Sequence, residues 1–351
     1  MGAVGARKIG VVVVVIIAAV VLVSAAWILT DRNDVGPRFS SEDAVPDPVI
    51  VSEPDDTVTD VEPVKSDDFV TVAAGEKAAA LSIYTDVNGD TAFIPAEFTV
   101  SSESDEQTID TGLVVIGPDG SEFVWIPTTV TELGARDFGV FFSNGDKISN
   151  YHDETDLQEY KDMVEGVKKY GGFYIGRYEA SKGSDGLPAS KAVTTDSPGK
   201  IWTNYSPQDT TVLCGKLYAD NDTVQGFFPW AANWDTVLQW LVNSGCKTLQ
   251  DISYDSTDWG NYSNDSFSEG ANGKYTGQWE ESKANNIYDL AGNNWEWTQE
   301  RKGSNYVMRG GGYNLMGGSC TGYSYPAALR DPLPGNDHHP NVTFRIALYL
   351  E

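Results

Sequence analysis

The 351-residue chain is poor in cysteine, histidine and positive charge. Its three cysteines, Cys214, Cys246 and Cys320, are too few for a disulfide scaffold and form no CxxC pair, which excludes a zinc ribbon or finger. Lys and Arg number 24 against 51 Asp and Glu, a formal charge of −27. Nucleic-acid binding needs clustered cations to displace counterions, so this balance excludes it and equally disfavours adhesion to anionic lipid. The only histidines are His152, His338 and His339, and no Gly-x-Ser-x-Gly elbow is present, which makes a Ser-His-Asp hydrolase a poor reading. Phosphate-cofactor chemistry has no GxGxxG or P-loop to support it. The Glu-Pro-Asn and Gln-Pro-Asp triplets of calcium-dependent sugar binding are also missing.

What is present is apolar and aromatic. Hydrophobic residues make up 40% of the chain, with ten Trp, enough for a sizeable core. The 35 glycines point to many tight turns rather than long helices. Ile9 to Leu29 carries no charge and is long enough for a helix to cross the roughly 30 Å hydrocarbon layer of a bilayer. Arg7 and Lys8 precede it and Asp31 and Asp34 follow, so the N-terminus is expected in the cytoplasm and the rest outside. The run is longer than a cleaved signal usually carries, which favours a retained single-pass anchor over residues 1–30. Residues 31–68 form an acidic, proline-containing linker whose isolated valines cannot bury enough surface to fold.

A small β-rich segment is expected over 69–120, where short apolar runs alternate with Asn-Gly and Pro-Asp-Gly turns. Asp86, Asn88, Asp90 and Glu97 match some positions of a calcium loop, but Thr91 stands where glycine is needed, so a hairpin turn is the better reading. A surface helix is expected over Asp156 to Lys169, and a strand over Gly171 to Glu179. A second helix is expected from an Asn233 cap to Ser244, with Gly245 just past its end.

Several segments, taken in order, resemble the sulfatase-modifying-factor family, which includes the formylglycine-generating enzyme. They are Phe123-Val-Trp-Ile-Pro127, Gly171 to Glu179, Pro229 to Asp235, Tyr288-Asp-Leu-Ala-Gly-Asn-Asn-Trp-Glu-Trp297, Arg309-Gly-Gly-Gly-Tyr313 and Phe344-Arg345. The resemblance covers residues 121–351 and implies an α+β, C-type-lectin-like head, loop-rich and preceded by the β-rich segment, linker and anchor. Catalytic members hold copper on two cysteines. Cys320 falls on the second of these positions and Leu315 on the first, so copper chemistry is disfavoured, and Cys320 is catalytic only if the chain is an oxidase. Cys214 and Cys246 are left to pair as a disulfide or remain thiols. The family also implies a calcium ion at Gly292, Asn294 and Glu296; the competing reading of Glu296 is a buried carboxylate satisfied by backbone N–H groups.

The last stretch also resembles variable proteins of diversity-generating retroelements, through Arg309 to Tyr313, Pro326-Ala-Ala, Arg330, Pro340 and Phe344 to Leu350. That resemblance implies a fixed scaffold with varied exposed residues that bind a ligand. The candidates are Asn314, Leu315, Met316, Cys320, Thr321, Tyr323, Leu329, Asp331, Leu333, Asn336, Asp337, His338, His339 and Asn341. Mixed aromatic, aliphatic and small polar groups at such positions resemble a paratope. Asp337-His338-His339 reads as a loop tip rather than a metal site. The expected function is a membrane-anchored, non-catalytic display protein that binds a macromolecular or cell-surface ligand. The alternatives are a copper oxidase acting on protein cysteine and a structural subunit of a pilus or virion.

Overall fold

In a computed structural model the described residues are 68–136, 138, 140–141, 147–196, 199–263, 273–315, 325–336 and 338–351. The chain divides into two units, Met1–Asp47 and Pro48–Glu351, and every described residue lies in the second. The expected anchor and nearly all of the linker lie outside the described residues, as do Met316, Cys320, Thr321, Tyr323 and Asp337. Among the described residues no helix is long and apolar enough to cross a membrane.

Strands β1 (Val70–Thr71), β2 (Ser82–Thr85) and β3 (Thr91–Ile94) form a small sheet in that order. The β2–β3 turn is built on Asp86. Its Oδ1 accepts the N–H groups of Asn88 at 2.8 Å and Asp90 at 3.0 Å, and its Oδ2 accepts that of Ile109 at 3.0 Å. The carboxylate is spent on backbone donors, and the segment is a hairpin. Next come β4 (Thr99–Val100), β5 (Val114–Ile116) and β6 (Glu122–Pro127). Segment 69–120 is thus rich in β structure, but Val114 pairs with Val124 and Ile116 with Glu122, so its last strands extend the head's own sheet across residue 120.

After the short β7 (Val140–Phe141), helix α1 (Gln158–Tyr170) buries Met163, Val167 and Tyr170 and ends where Gly171 turns to φ 77° and donates its N–H to the Val167 carbonyl. Its apolar residues recur every three or four positions, as a one-sided helix requires. The chain continues through β8 (Gly172–Gly176), the paired β9 (Ser181–Lys182) and β10 (Pro188–Ala189), helix α2 (Pro207–Cys214) and β11 (Val224–Phe227). Helix α3 (Ala231–Asn243) begins earlier than expected. Asn233 is its third residue, not its cap, and its Oδ1 accepts the Trp230 N–H at 3.1 Å. The cap comes from elsewhere: Asp153 accepts the N–H groups of Ala231 and Ala232, each at 2.9 Å. A partner 78 positions upstream leaves no local signature.

Helix α4 (Leu249–Ser253) and the paired β12 (Lys283–Ala284) and β13 (Ile287–Tyr288) lead into β14 (Trp295–Lys302), β15 (Asn305–Arg309), β16 (Leu329–Pro334), β17 (Val342–Phe344) and β18 (Ala347–Leu350). Two sheets organise the molecule. One has six antiparallel strands in the order β11-β18-β8-β6-β5-β4; the other has five in the order β17-β14-β15-β16-β7. The first sheet is covered on both faces. Phe123 and Trp125 enter a core shared with Trp295, Trp297 and Phe344, while Val124 and Ile126 meet Met163, Trp234 and Leu238 of the helices. This explains the unbroken Phe-Val-Trp-Ile run, since a strand buried on both faces has no polar side to show. The fold is α+β, sheet-rich, with few helices.

Candidate functional site: a cavity on one face of the five-stranded sheet

Strand pairing sorts the C-terminal residues onto two faces. Met308 lies opposite Trp297 on one side and opposite Asp331 on the other; Tyr306 lies opposite Leu333, and Trp295 opposite Val342. Side chains alternate along a strand, so these residues share one face, and Glu296, Arg309, Arg330 and Thr343, each one position away, share the other.

The second face is closed by ion pairs. Arg309 meets Asp235 at 2.6 Å and Glu300 at 3.3 Å. Arg330 meets Glu300 at 2.6 Å and also bonds Asp235 and the Phe138 carbonyl. All four charged side chains are buried. Asp153, the cap of α3, lies against this ring. Burial, followed by the charge of Glu300, pushes its carboxyl up to about 7. At the far end Arg345 donates to both oxygens of Glu296, at 3.1 and 2.6 Å, and to the carbonyls of Gly176 and Tyr288. Burial raises the Glu296 carboxyl, and Arg345 opposes the rise.

These contacts bear on the calcium expectation. Both Glu296 oxygens are held by Arg345 rather than by backbone N–H groups. Asn294 gives its backbone N–H and its Nδ2 to Glu179, at 2.9 and 3.0 Å. Gly292 sits at φ 72°, and a Cβ there would lie 2.4 Å from the Asn261 carbonyl oxygen. The glycine is needed for backbone approach. Among the described residues no group of three or more His, Cys, Asp or Glu side chains is placed to hold a metal. Glu179, which the sequence showed only as the end of a strand, is buried; desolvation, then Glu296 and Asp289, hold its carboxyl well above the usual range.

The first face opens into a cavity of about 230 Å³ lined by Trp295, Met308, Asn314, Leu315, Asp331, Leu333, His339, Pro340, Asn341 and Val342. Asn314, Leu315, Asp331, Leu333, His339 and Asn341 were all expected at the ligand face, and the fold brings them together. Leu315 is held in place by its backbone: its carbonyl accepts the Ser263 N–H at 2.8 Å and the Ser263 hydroxyl at 2.7 Å. Tyr313 donates its hydroxyl to Asn341 Oδ1 at 3.1 Å. Gly311, at φ 80°, lets the loop pass the Tyr325 carbonyl, which a Cβ would meet at 2.5 Å. Asp331 stands half-buried in this lining, and desolvation outweighs the attraction of Lys302 to push its carboxyl up to about 6.

One expectation differs from the structure: Leu329 is 1% exposed and belongs to the same core as Trp297 and Met308, so it is not a surface contact. Asn336 is exposed but does not line the cavity. His338 points away, with Nε2 3.5 Å from Asp209, while the His339 ring lies 6.3 Å from that of Trp297, so the two do not converge. Trp295 and Met308 line the site without having been singled out for it; the strand alternation of β14 and β15 was the available signal. Cys214 and Cys246 are free thiols, Cys214 buried.

No family model matches the chain, and no curated protein matches it. Solved structures similar to it include CarF, at 14% identity over 66% of this chain and 100% of that one, with a TM-score of 0.39. PvdO from Pseudomonas aeruginosa matches at 14% identity over 66% and 95%, again with a TM-score of 0.39. Variable protein 1 of Treponema denticola matches at 14% identity over 76% and 98%, with a TM-score of 0.27.

Proposed function

We propose that this chain is a membrane-anchored, extracytoplasmic display protein, with a C-type-lectin-like head that binds a macromolecular or cell-surface ligand through the face built from residues 314–342. The observation that carries the reading is the cavity. It gathers residues of mixed chemistry from two loops and four strands onto one open face, backed by a sheet whose other face is locked by buried ion pairs. A lining that mixes apolar side chains with amides, a carboxylate and an imidazole suits recognition of a partner surface. Leu315 presents a carbon chain where the sulfatase-modifying-factor resemblance calls for a copper-binding thiolate, so the head is read as non-catalytic.

The test is a binding screen of the full chain in detergent against purified surface proteins and glycans, repeated with an N314A/L333A double variant. A ligand whose affinity falls roughly tenfold or more in the double variant, which keeps the parent's circular dichroism, is expected. Equal affinity in that variant would place the site elsewhere. Copper(I) titration is expected to give no tight stoichiometric site; tight copper together with oxygen uptake on a cysteine peptide would replace this reading with an oxidase. Retroelement diversification is tested separately, by whether a reverse-transcriptase gene and an imperfect repeat of the last coding stretch, differing at adenines, lie nearby.

A further inference from the structure

The cavity has one carboxylate, set among apolar side chains, two asparagines and His339. Asp331 lines it from β16, opposite Met308 on the neighbouring strand. Among the described residues none donates a hydrogen bond to the Asp331 carboxylate, although its neighbour Arg330 is bonded at every branch of its guanidinium. Met308, Leu315, Leu333 and Val342 supply a carbon surface, and Trp295, 7% exposed, contributes the edge of an indole. At about 230 Å³ the cavity is smaller than the roughly 300–1,000 Å³ of pockets that enclose whole small molecules, so it is sized for one protruding side chain. Lys302 attracts this partly desolvated carboxylate through space without donating a hydrogen bond to it, so a cation that reaches it directly still gains a charge-assisted bond. A long basic side chain answers both parts of the wall, with a carbon stem for the apolar lining and a charged tip for the acid. The chain's formal charge of −27 draws a basic partner toward the head.

Resting on the reading of this face as a ligand site, we propose that the cavity receives a single cationic side chain of the partner protein, its charged tip at Asp331 and its stem along Met308, Leu315 and Leu333. The partner is therefore a protein with an exposed lysine or arginine at the centre of its contact surface.

Full-length protein in detergent is titrated by calorimetry with three probes: Nα-acetyl-lysine amide, Nα-acetyl-arginine amide and the neutral Nα,Nε-diacetyl-lysine amide. Saturable binding of at least one cationic probe is expected, weakened roughly tenfold or more in Asp331→Asn and retained in Asp331→Glu, with the neutral probe failing to bind. The stronger of the two cations identifies the residue type. Equal binding of the neutral probe, no binding of either cation, or an unchanged affinity in Asp331→Asn would each overturn the proposal. The outcome separates from that of the ligand face itself. If Asp331→Asn leaves the cationic probes unaffected while N314A/L333A still abolishes capture of the macromolecular ligand, the face stands and the cation pocket falls. If neither variant alters any binding, both fall.

Discussion

Arg330 and Asp331 are neighbours in sequence with opposite surroundings. Arg330 points into a ring with Asp235, Glu300 and Arg309 in which every charge has a partner. Asp331 points the other way, into a cavity where no described residue gives it a hydrogen bond. The same contrast separates Glu296, held at both oxygens by Arg345, from Trp295, which lines the cavity. One sheet thus carries an ion-paired face and an apolar face that is mostly core but is interrupted by a cavity. The ion-paired face fixes geometry at the expense of desolvating several charges, and the cavity leaves part of the other face accessible. Buried pairs of this kind are weak evidence of net stability, but they are severe when broken.

The sharpest way to break the comparison is Asp235→Ala, which strands two buried guanidinium groups. A loss of about 3–5 kcal/mol is expected in denaturant unfolding; a loss no larger than that of a cavity-face variant would remove the distinction between the faces. Next is pH. The Asp153 carboxyl rises from 3.8 to about 7 on folding, so the folded state holds a proton that the unfolded state has released between those values. Stability attributable to this group is therefore highest below about pH 4 and declines as pH rises to about 7, by something on the order of a few kcal/mol. Asp153→Asn is expected to flatten that slope in melting curves recorded across the range, and an unchanged slope would mean the cap is not the titrating group. On the apolar face Leu333→Ala, half-buried at the cavity, is expected to cost about 1 kcal/mol. Binding of a cationic probe should weaken as pH falls through about 6, where Asp331 takes up its proton. His339 lines the same cavity and Lys302 acts on Asp331, so positive charge on either opposes a bound cation. Smallest of all, Asn314→Ala is expected to leave stability within about 0.5 kcal/mol, while weakening the macromolecular ligand; a larger destabilisation would show that the rim is part of the frame.

Local patterns were legible in the sequence where local physics sets them. The α1 stripe, the Gly171 stop and the doubly buried run at Phe123 all follow from periodicity and turn chemistry. The cavity lining was legible in outline, because residues such as Asn314, Asp331 and Asn341 are chemically mixed and sit among Gly, Pro and Arg. Long-range partners were not. Nothing near Asn233 indicated that Asp153 caps α3, and nothing near Glu296 indicated that Arg345, 49 positions on, would take both its oxygens. Leu329 was misplaced for a related reason: its burial comes from a core gathered from distant segments, Trp297 and Phe344 among them.

The alternation of Arg330 and Asp331 also constrains how β16 can sit. A slip of one residue against β15 would turn every side chain to the opposite side. Arg330 would then enter the cavity and Asp331 would be driven against Asp235 and Glu300, placing three carboxylates where two now share two cations. The ion-pair ring therefore works as a key for alignment. Sequence changes confined to the cavity-facing side of the strand can alter the cavity lining without giving the backbone a second place to settle.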